Sequence, residues 1–279
     1  MDILFVADAF LEQIPNGGGE LYNDELCNLL ISKGYKITKV LSAQLTHKQI
    51  YQCPRMIIGN FLGLTEVTRQ IIMQHVRYCI IEHDHKYDRM RNPALYFNFE
   101  IPKENIVYYD FYKNARAIIC QTDLHAEIAK KNLKINNIIN AGGSIWSDAA
   151  LDLLSSLVEK PKNVKFVVLS SLVEHKNTFG AVQWCEFHDR DYDLLTVMPW
   201  STFYNTLASY LGLVFLPKTP ETCSRVVVEA KMLGLRVVTN NLVGARSQVW
   251  YELNGQDLID YMRKKKYKIC EMVESVFKK

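Results

Sequence analysis

Short apolar runs alternate with helix-patterned segments, and the alternation runs through this chain twice. In the first pass, "DILFVA" (2–7), "YKITKVLS" (35–42), "RMIIGN" (55–60), "RYCIIEH" (77–83) and "ARAIICQT" (115–122) read as strands. Between them, Glu20–Lys33, 64–74 and 124–132 carry apolar residues at helical spacing. "NIINAGGSIWS" (137–147) breaks the pattern at a glycine pair. The second pass has strands at 164–170, 192–197, 212–217 and 235–240. Its helices are 148–159, 178–187, 201–210 and 224–233. Strands without polar alternation, each followed by a helix, predict parallel sheets covered on both faces. The expected architecture is α/β: a first domain over 1–146 and a second over 147–256, facing a cleft. An amphipathic helix over 257–279 carries Leu258, Ile259, Met262, Ile269, Val273, Val276 and Phe277 on one stripe. Its cations, Arg263 to Lys266 and Lys268, are expected on the solvated faces, and the stripe is expected to pack on protein, with membrane contact at most peripheral.

Composition narrows the function. A chain of 279 residues, 48% hydrophobic and 23% charged, is globular and long enough for two modest cores. The net charge of +3 excludes a strongly basic nucleic-acid binder, so no nucleic-acid partner is expected. Seven scattered cysteines without a C-x-x-C pair fit free, mostly buried thiols in a reducing cytosol. The first residues enter a strand directly, with no signal-peptide pattern, and no run of 18 apolar residues occurs. A cytoplasmic location is expected.

Open parallel sheets bind ligands at the carboxyl ends of their strands, so the loops there are the places to search. After the first strand stand Gly17, Gly18 and Gly19, then Glu20. Consecutive glycines let backbone N–H groups approach a ligand where a helix begins. After the fourth strand, "IIEHDHKYDRMRNP" (80–93) is the densest polar cluster; Glu82, His83, Asp84 and His85 are candidate acid–base or hydroxyl-binding groups. Strand alternation turns His83 and His85 to one side, but no further ligand at metal spacing follows. Lys176 precedes a helix start with Asn177 or Thr178 as N-cap, a setting that suits phosphate. In "PETCSRVVVEA" (220–230), Glu221 and Glu229 are eight residues apart, about 12 Å of rise if both were helical. Two acids so placed serve two parts of one extended ligand. Ser224 reads as the N-cap of the helix, and Arg225 in its first turn is unfavourable there unless an anion binds. A phosphate flanked by two hydroxyl-binding carboxylates has the layout of a nucleotide sugar.

These residues, in this order, resemble GT-B-fold glycosyltransferases of the retaining, GT4-like kind: the Gly-Gly-x-Glu loop, a histidine ending a first-domain strand, the lysine, and E-x7-E followed by Ala230, Gly234, Val237 and Val238. The resemblance covers nearly the whole chain. It implies two Rossmann-like domains, with the acceptor side in the first and the donor side in the second, and a C-terminal helix returning to the first domain. It implies transfer of a sugar from a nucleotide-sugar donor to a hydroxyl acceptor on a glycan, lipid or protein. Retention, and no required metal or cofactor, are implied as well. Carried over, His83 and Glu221 are the catalytic positions, with Glu221 near the donor sugar. Glu229 holds the ribose, Lys176 meets the diphosphate and Gly17 to Gly19 underlie the ligand; Ser224 and Arg225 join the donor site from their place at the helix start rather than from the resemblance. The family's arginine five residues before the lysine is Ser171 here, and Arg225 is expected to take its place. A binding or assembly subunit without activity and a sugar-nucleotide epimerase on the same fold are the alternatives.

Overall fold

The computed structural model describes residues 2–11, 17–196 and 198–278. The chain divides into two compact units, Met1–Ile145 with Lys266–Lys279, and Trp146–Lys265.

The first unit runs β1 (Asp2–Ala7), α1 (Gly18–Ser32), β2 (Lys36–Leu41), α2 (His47–Gln52), β3 (Arg55–Ile58), α3 (Glu66–His75), β4 (Arg77–Ile81), α4 (Tyr109–Asn114), β5 (Ala117–Cys120), α5 (Asp123–Leu133) and β6 (Ile138–Asn140). All its strands pair in parallel in the order β2-β1-β3-β4-β5-β6. Alternate residues serve opposite faces. Leu4, Val6, Ile58, Ile80 and Ile118 enter one core, and Ile3, Phe5, Ala7, Ile57, Cys79, Ile81 and Ile119 the other. Burial on both faces explains the continuous apolar runs. The glycine-pair break expected at 137–147 begins only after β6, whose three residues pair with Ile118–Cys120. A run that short carries no periodicity.

The second unit runs α6 (Asp148–Leu157), β7 (Phe166–Leu169), α7 (Thr178–Phe187), β8 (Tyr192–Leu195), α8 (Trp200–Leu207), β9 (Gly212–Phe215), α9 (Arg225–Met232), β10 (Arg236–Thr239) and the start of α10 (Gly255–Lys278). Its parallel sheet has the order β10-β9-β7-β8. Gly212 in β9 is required by crowding: a Cβ there would lie 2.5 Å from the Phe166 ring and 2.6 Å from the Arg236 carbonyl. The expected strand 192–197 ends two residues earlier, and Val197 lies outside the described residues.

Both sheets reverse direction beside their first strand. The chain goes from β1 to β2 on one side and then to β3 on the other; β7, β8 and β9 repeat the move. Such switch points leave a crevice at the strands' carboxyl ends.

Leu258, Ile259 and Met262 of α10 belong to the second unit's core, and Ile269, Cys270, Val273 and Phe277 to the first unit's. The stripe is therefore buried in protein. Lys266 corrects the expectation of solvated cations: it is fully buried and pairs with Glu25 of α1 at 3.3 Å. All seven cysteines are free and buried. Among the described residues no helix is long and apolar enough to cross a membrane.

Candidate functional site

In the first unit, Asp8 ties the strand ends together. Its carboxylate accepts the amides of Leu62 and Gly63, each at 3.0 Å, and the Ser42 hydroxyl. Gly17 is the extended N-cap of α1, and no side chain caps that helix start. A Cβ on Gly17 would sit 2.5 Å from Glu20 Oε2, so a side chain there would push the Glu20 carboxylate aside. Gly18 opens the helix, and Gly19 lies against the ring of His83, which a Cβ there would meet at 3.5 Å. The structure thus brings the glycine run and His83 together.

His83 Nε2 is 2.8 Å from Asn23 Oδ1, and Nδ1 is 3.2 Å from Gln121 Nε2. A carbonyl oxygen on one side and an amide nitrogen on the other fit a neutral ring protonated at Nε2. Burial, then the Lys86 charge, bring its pKa down to about 3, against the opposing pull of Glu82. Asn23 and Gln121 carried no sequence signal, because each reads as an ordinary polar residue beside a strand or helix.

The rest of the 80–93 cluster is folded into the protein. β4 ends at Ile81, and His85 adopts a left-handed backbone (φ 56°). The strand alternation that would align His83 with His85 therefore fails, and His85 turns to Tyr87 (2.8 Å) and to the His125 ring. Glu82 is fully buried. It accepts the backbone N–H of Asp84 at 3.1 Å, that of Lys86 at 3.2 Å, the Lys86 ammonium at 3.1 Å and the Tyr112 hydroxyl. Burial alone would raise its carboxyl pKa; the Lys86 charge, the Tyr112 hydroxyl and the Lys86 N–H outweigh it and hold the group below the ordinary range. Asp84 pairs with Lys86 at 2.6 Å and with Arg91. Glu82 and Asp84 therefore serve the fold here rather than a ligand. His125 accepts from the Gln121 amide at 3.2 Å, while its Nε2 is buried without a partner. Burial, then His85, push its pKa well down.

Both imidazoles are neutral in the fold and take protons more readily once unfolded, where their ordinary pKa is 6.5. Stability is then complete above about pH 6.5 and falls as pH drops from there toward about 3. The slope reaches roughly 1.4 kcal/mol per pH unit for each group, or about 2.7 for the two. Urea midpoints between pH 7.5 and 4.5 should show this decline. His125→Asn, which keeps an acceptor for the Gln121 amide, should remove about half of it. A midpoint independent of pH would contradict the assignment.

In the second unit the switch point lies between β7 and β9. A 3-10 turn, Glu174–Lys176, follows β7 and leads into Asn177 (φ 56°). Asn177 caps α7: its Oδ1 accepts the Gly180 amide at 3.3 Å, and its Nδ2 donates to the Leu216 carbonyl at 2.7 Å. That second bond ties the end of β7 to the end of β9 and sets Lys176 beside Glu221. Their Nζ–Oε1 distance is 2.8 Å, with the lysine about one-third exposed (34%).

Glu221 is not helical. It lies in the loop after β9, held by a bridge to Val243 and by bonds with Leu242 and Gly244 at 2.8 Å each. The helical rise inferred from its spacing to Glu229 is corrected accordingly. Ser224 holds the N-cap position of α9 with a left-handed backbone (φ 65°), a conformation that suits glycine. Its hydroxyl makes no cap bond, contrary to expectation, and is buried without a partner, as is that of Thr219.

Arg225 stacks over Trp146, 4.4 Å from the ring centroid, and its Nε lies 3.4 Å from Glu229 Oε1. Only 11% of the Arg225 side chain is exposed. The same glutamate oxygen accepts Trp146 Nε1 and the Tyr204 hydroxyl, both at 2.8 Å. Burial, then the Glu229 charge, raise the Tyr204 pKa and keep that hydroxyl a donor. Trp146, between Ile145 and Ser147, and Tyr204, between Phe203 and Asn205, carry no sequence signal of a site, since an aromatic in or beside a helix reads as core.

The "DRD" at 189–191 is exposed in the turn after α7. Among the described residues no group of three or more His, Cys, Asp or Glu stands close enough to hold a metal ion.

No protein-family model and no curated protein matches the sequence. Solved structures do match the fold. An α-glucosyltransferase solved with UDP and a 13-mer DNA containing an HMU base aligns over 98% of this chain and 94% of its own, at 11% identity and TM-score 0.53. HepE from Anabaena, solved with UDP and glucose, aligns over 99% of this chain and 94% of its own, at 14% identity and TM-score 0.53. An α-glucosyltransferase with UDP-glucose and DNA containing an abasic site gives 11% identity over 99% of this chain and 91% of its own, at TM-score 0.54. The chain has the α/β fold of GT-B glycosyltransferases.

Proposed function

We propose that this chain is a glycosyltransferase that moves a sugar from a nucleotide-sugar donor to a hydroxyl acceptor. The observation that carries the reading is the second unit's switch point. Lys176 and Glu221 meet there at 2.8 Å, Ser224 keeps a buried unpartnered hydroxyl at the α9 N-terminus, and Glu229 lies one turn inside. Helix N–H groups and a lysine suit a diphosphate. A carboxylate on either side of it suits the ribose and the transferred sugar. In this reading Glu229 accepts from the ribose hydroxyls, and Lys176 leaves Glu221 for the phosphates. Glu221 then turns to the sugar. Gly17 to Gly19 and His83 supply the first unit's groups, His83 as a neutral hydrogen-bonding ring. Arg225 supports Glu229 rather than replacing the arginine that Ser171 displaces, because its charge is already answered by that carboxylate.

Retention of configuration and independence from metal and cofactor belong to the same proposal and rest on the family resemblance. The cytoplasmic location is proposed too, and rests on the scattered cysteines without a C-x-x-C pair. The acceptor is a glycan, lipid or protein hydroxyl. DNA is tested as the exception, because α-glucosyltransferase structures of this fold hold it. The net charge of +3 argues against tight DNA binding. Nanomolar binding of a 13-mer duplex at physiological salt would overturn that part.

A second reading, nucleotide binding without transfer, is favoured by Ser171 and by the carboxylate partners that Lys176 and Arg225 already have. Thermal shift with UDP, GDP, ADP and their sugars tests the common ground. The cognate nucleotide at 100 times its Kd should stabilise the chain by about 2.7 kcal/mol. No shift with any of them would defeat both readings.

Glu221→Gln separates the two carboxylates. It frees Lys176 from an ion pair worth about 0.2–1 kcal/mol. Free UDP should therefore bind about 1.4- to fivefold tighter, while transfer falls. Weaker UDP binding in this variant, measured by calorimetry, would place Glu221 on the nucleotide instead.

A further inference from the structure

The geometry assigns Tyr204 and Trp146 as positioning residues for Glu229, fixing one carboxylate oxygen so that the other selects the cis-diol of a ribose. The inference rests on the proposed ribose-binding role of Glu229. Tyr204 and Trp146 each donate to Glu229 Oε1 at 2.8 Å, and Arg225 Nε approaches the same atom at 3.4 Å. Among the described residues no hydrogen bond is made to Oε2. The donors therefore converge on one oxygen and leave its twin as the acceptor.

The three side chains are nearly sealed: Trp146 is 1% exposed, Tyr204 2% and Glu229 5%. Their bonds are thus made in a poorly screened environment, where they hold the carboxylate plane firmly. Oε1, with two hydrogen bonds and the Arg225 charge at 3.4 Å, has little capacity left. Oε2 retains both lone pairs, enough for two adjacent hydroxyls. A carboxylate fixed in advance loses little rotamer freedom when a diol arrives. A loose one would have to be ordered by the ligand and would distinguish poorly between a diol and hydrogen. Placement supports the assignment. Trp146 stands just before α6 and Tyr204 in α8, so two elements besides α9 converge on one oxygen.

The experiment compares UDP with 2′,3′-dideoxy-UDP in the full chain, in Tyr204→Phe and in Trp146→Phe, with GDP and ADP pairs alongside. Both ligands draw on the same folded population, so mere destabilisation leaves the ratio of their Kd values unchanged. The parent should prefer the ribonucleotide by roughly thirtyfold or more. Each variant should lower that preference at least fivefold while binding the dideoxy nucleotide as the parent does. A parent that binds none of the nucleotides, or binds both forms equally, overturns the ribose role and this inference with it. A parent preference that persists unchanged in both variants overturns the positioning role alone. Loss of folding in both variants, seen by circular dichroism, also overturns it, because the pair would then hold the unit together rather than the carboxylate.

Discussion

Lys86→Met should lower stability by about 3–5 kcal/mol, the usual cost of leaving one member of a buried ion pair without its partner. Lys86 is 1% exposed at its side chain and Glu82 is not exposed at all. Methionine matches the length of the lysine stem but supplies no donor. Glu82 would keep the N–H groups of Asp84 and residue 86 and the Tyr112 hydroxyl, and would lose its one bonded cation. Asp84 would lose its 2.6 Å partner as well. The double variant Glu82→Gln/Lys86→Met removes the buried charge from both sides and should recover at least half of the loss. Urea denaturation of the two variants beside the parent measures this. A single variant within about 1 kcal/mol of the parent would show that the pair is incidental. Because Glu82 also shapes the turn that presents His83, Lys86→Met should disturb activity as well.

Glu229→Gln should weaken free UDP by roughly 30- to 150-fold, about 2–3 kcal/mol, while a nucleotide lacking the ribose hydroxyls loses much less. Hydrogen bonds to a charged acceptor contribute about 1.5–3 kcal/mol each, and an amide presents one acceptor oxygen where the carboxylate presents two. The Gln amide must also choose which face to turn toward Trp146, Tyr204 and Arg225. If its oxygen stays with them, an NH₂ group faces the ribose. If it turns, two donors meet the Tyr204 and Trp146 hydrogens. Either orientation costs ribose affinity. Calorimetry with UDP and with 2′,3′-dideoxy-UDP separates this loss from a general one. Equal losses for both nucleotides would indicate that Glu229 only supports the unit.

The sheets were legible because burial on both faces writes itself into continuous apolar strands, and the helices between them keep their own period. α7 occupies 178–187, as its apolar spacing predicts. β6 was missed because three residues are too few for any pattern. α2 and α4, six residues each, were missed for the same reason. Within the site, Lys176, Glu221 and Glu229 were legible as charged residues at strand ends or inside an apolar helix. Their partners were not. Trp146 is 83 positions from Glu229, and only the fold brings them together. The spacing arithmetic failed at Glu221 because the helix begins four residues later, after a left-handed Ser224 that reads in sequence as an ordinary cap. His85 misled for a similar reason, since a positive φ interrupts the strand period that would have aligned it with His83. Backbone conformations of this kind leave no compositional trace in a non-glycine residue.

Donor turnover tests nucleotide-sugar transfer most directly. The purified chain is incubated with UDP-, GDP- and ADP-sugars in the presence of EDTA and a panel of glycan, lipid, peptide and duplex DNA acceptors. The released nucleotide and the anomeric configuration of any product are then identified. One donor class should release its nucleoside diphosphate together with a glycoside of unchanged configuration, and Glu221→Gln should abolish that release while still binding the nucleotide. A donor that binds but is returned intact, or returned as its sugar epimer with the nucleotide still attached, would contradict transfer and leave the chain a nucleotide-sugar binder or epimerase.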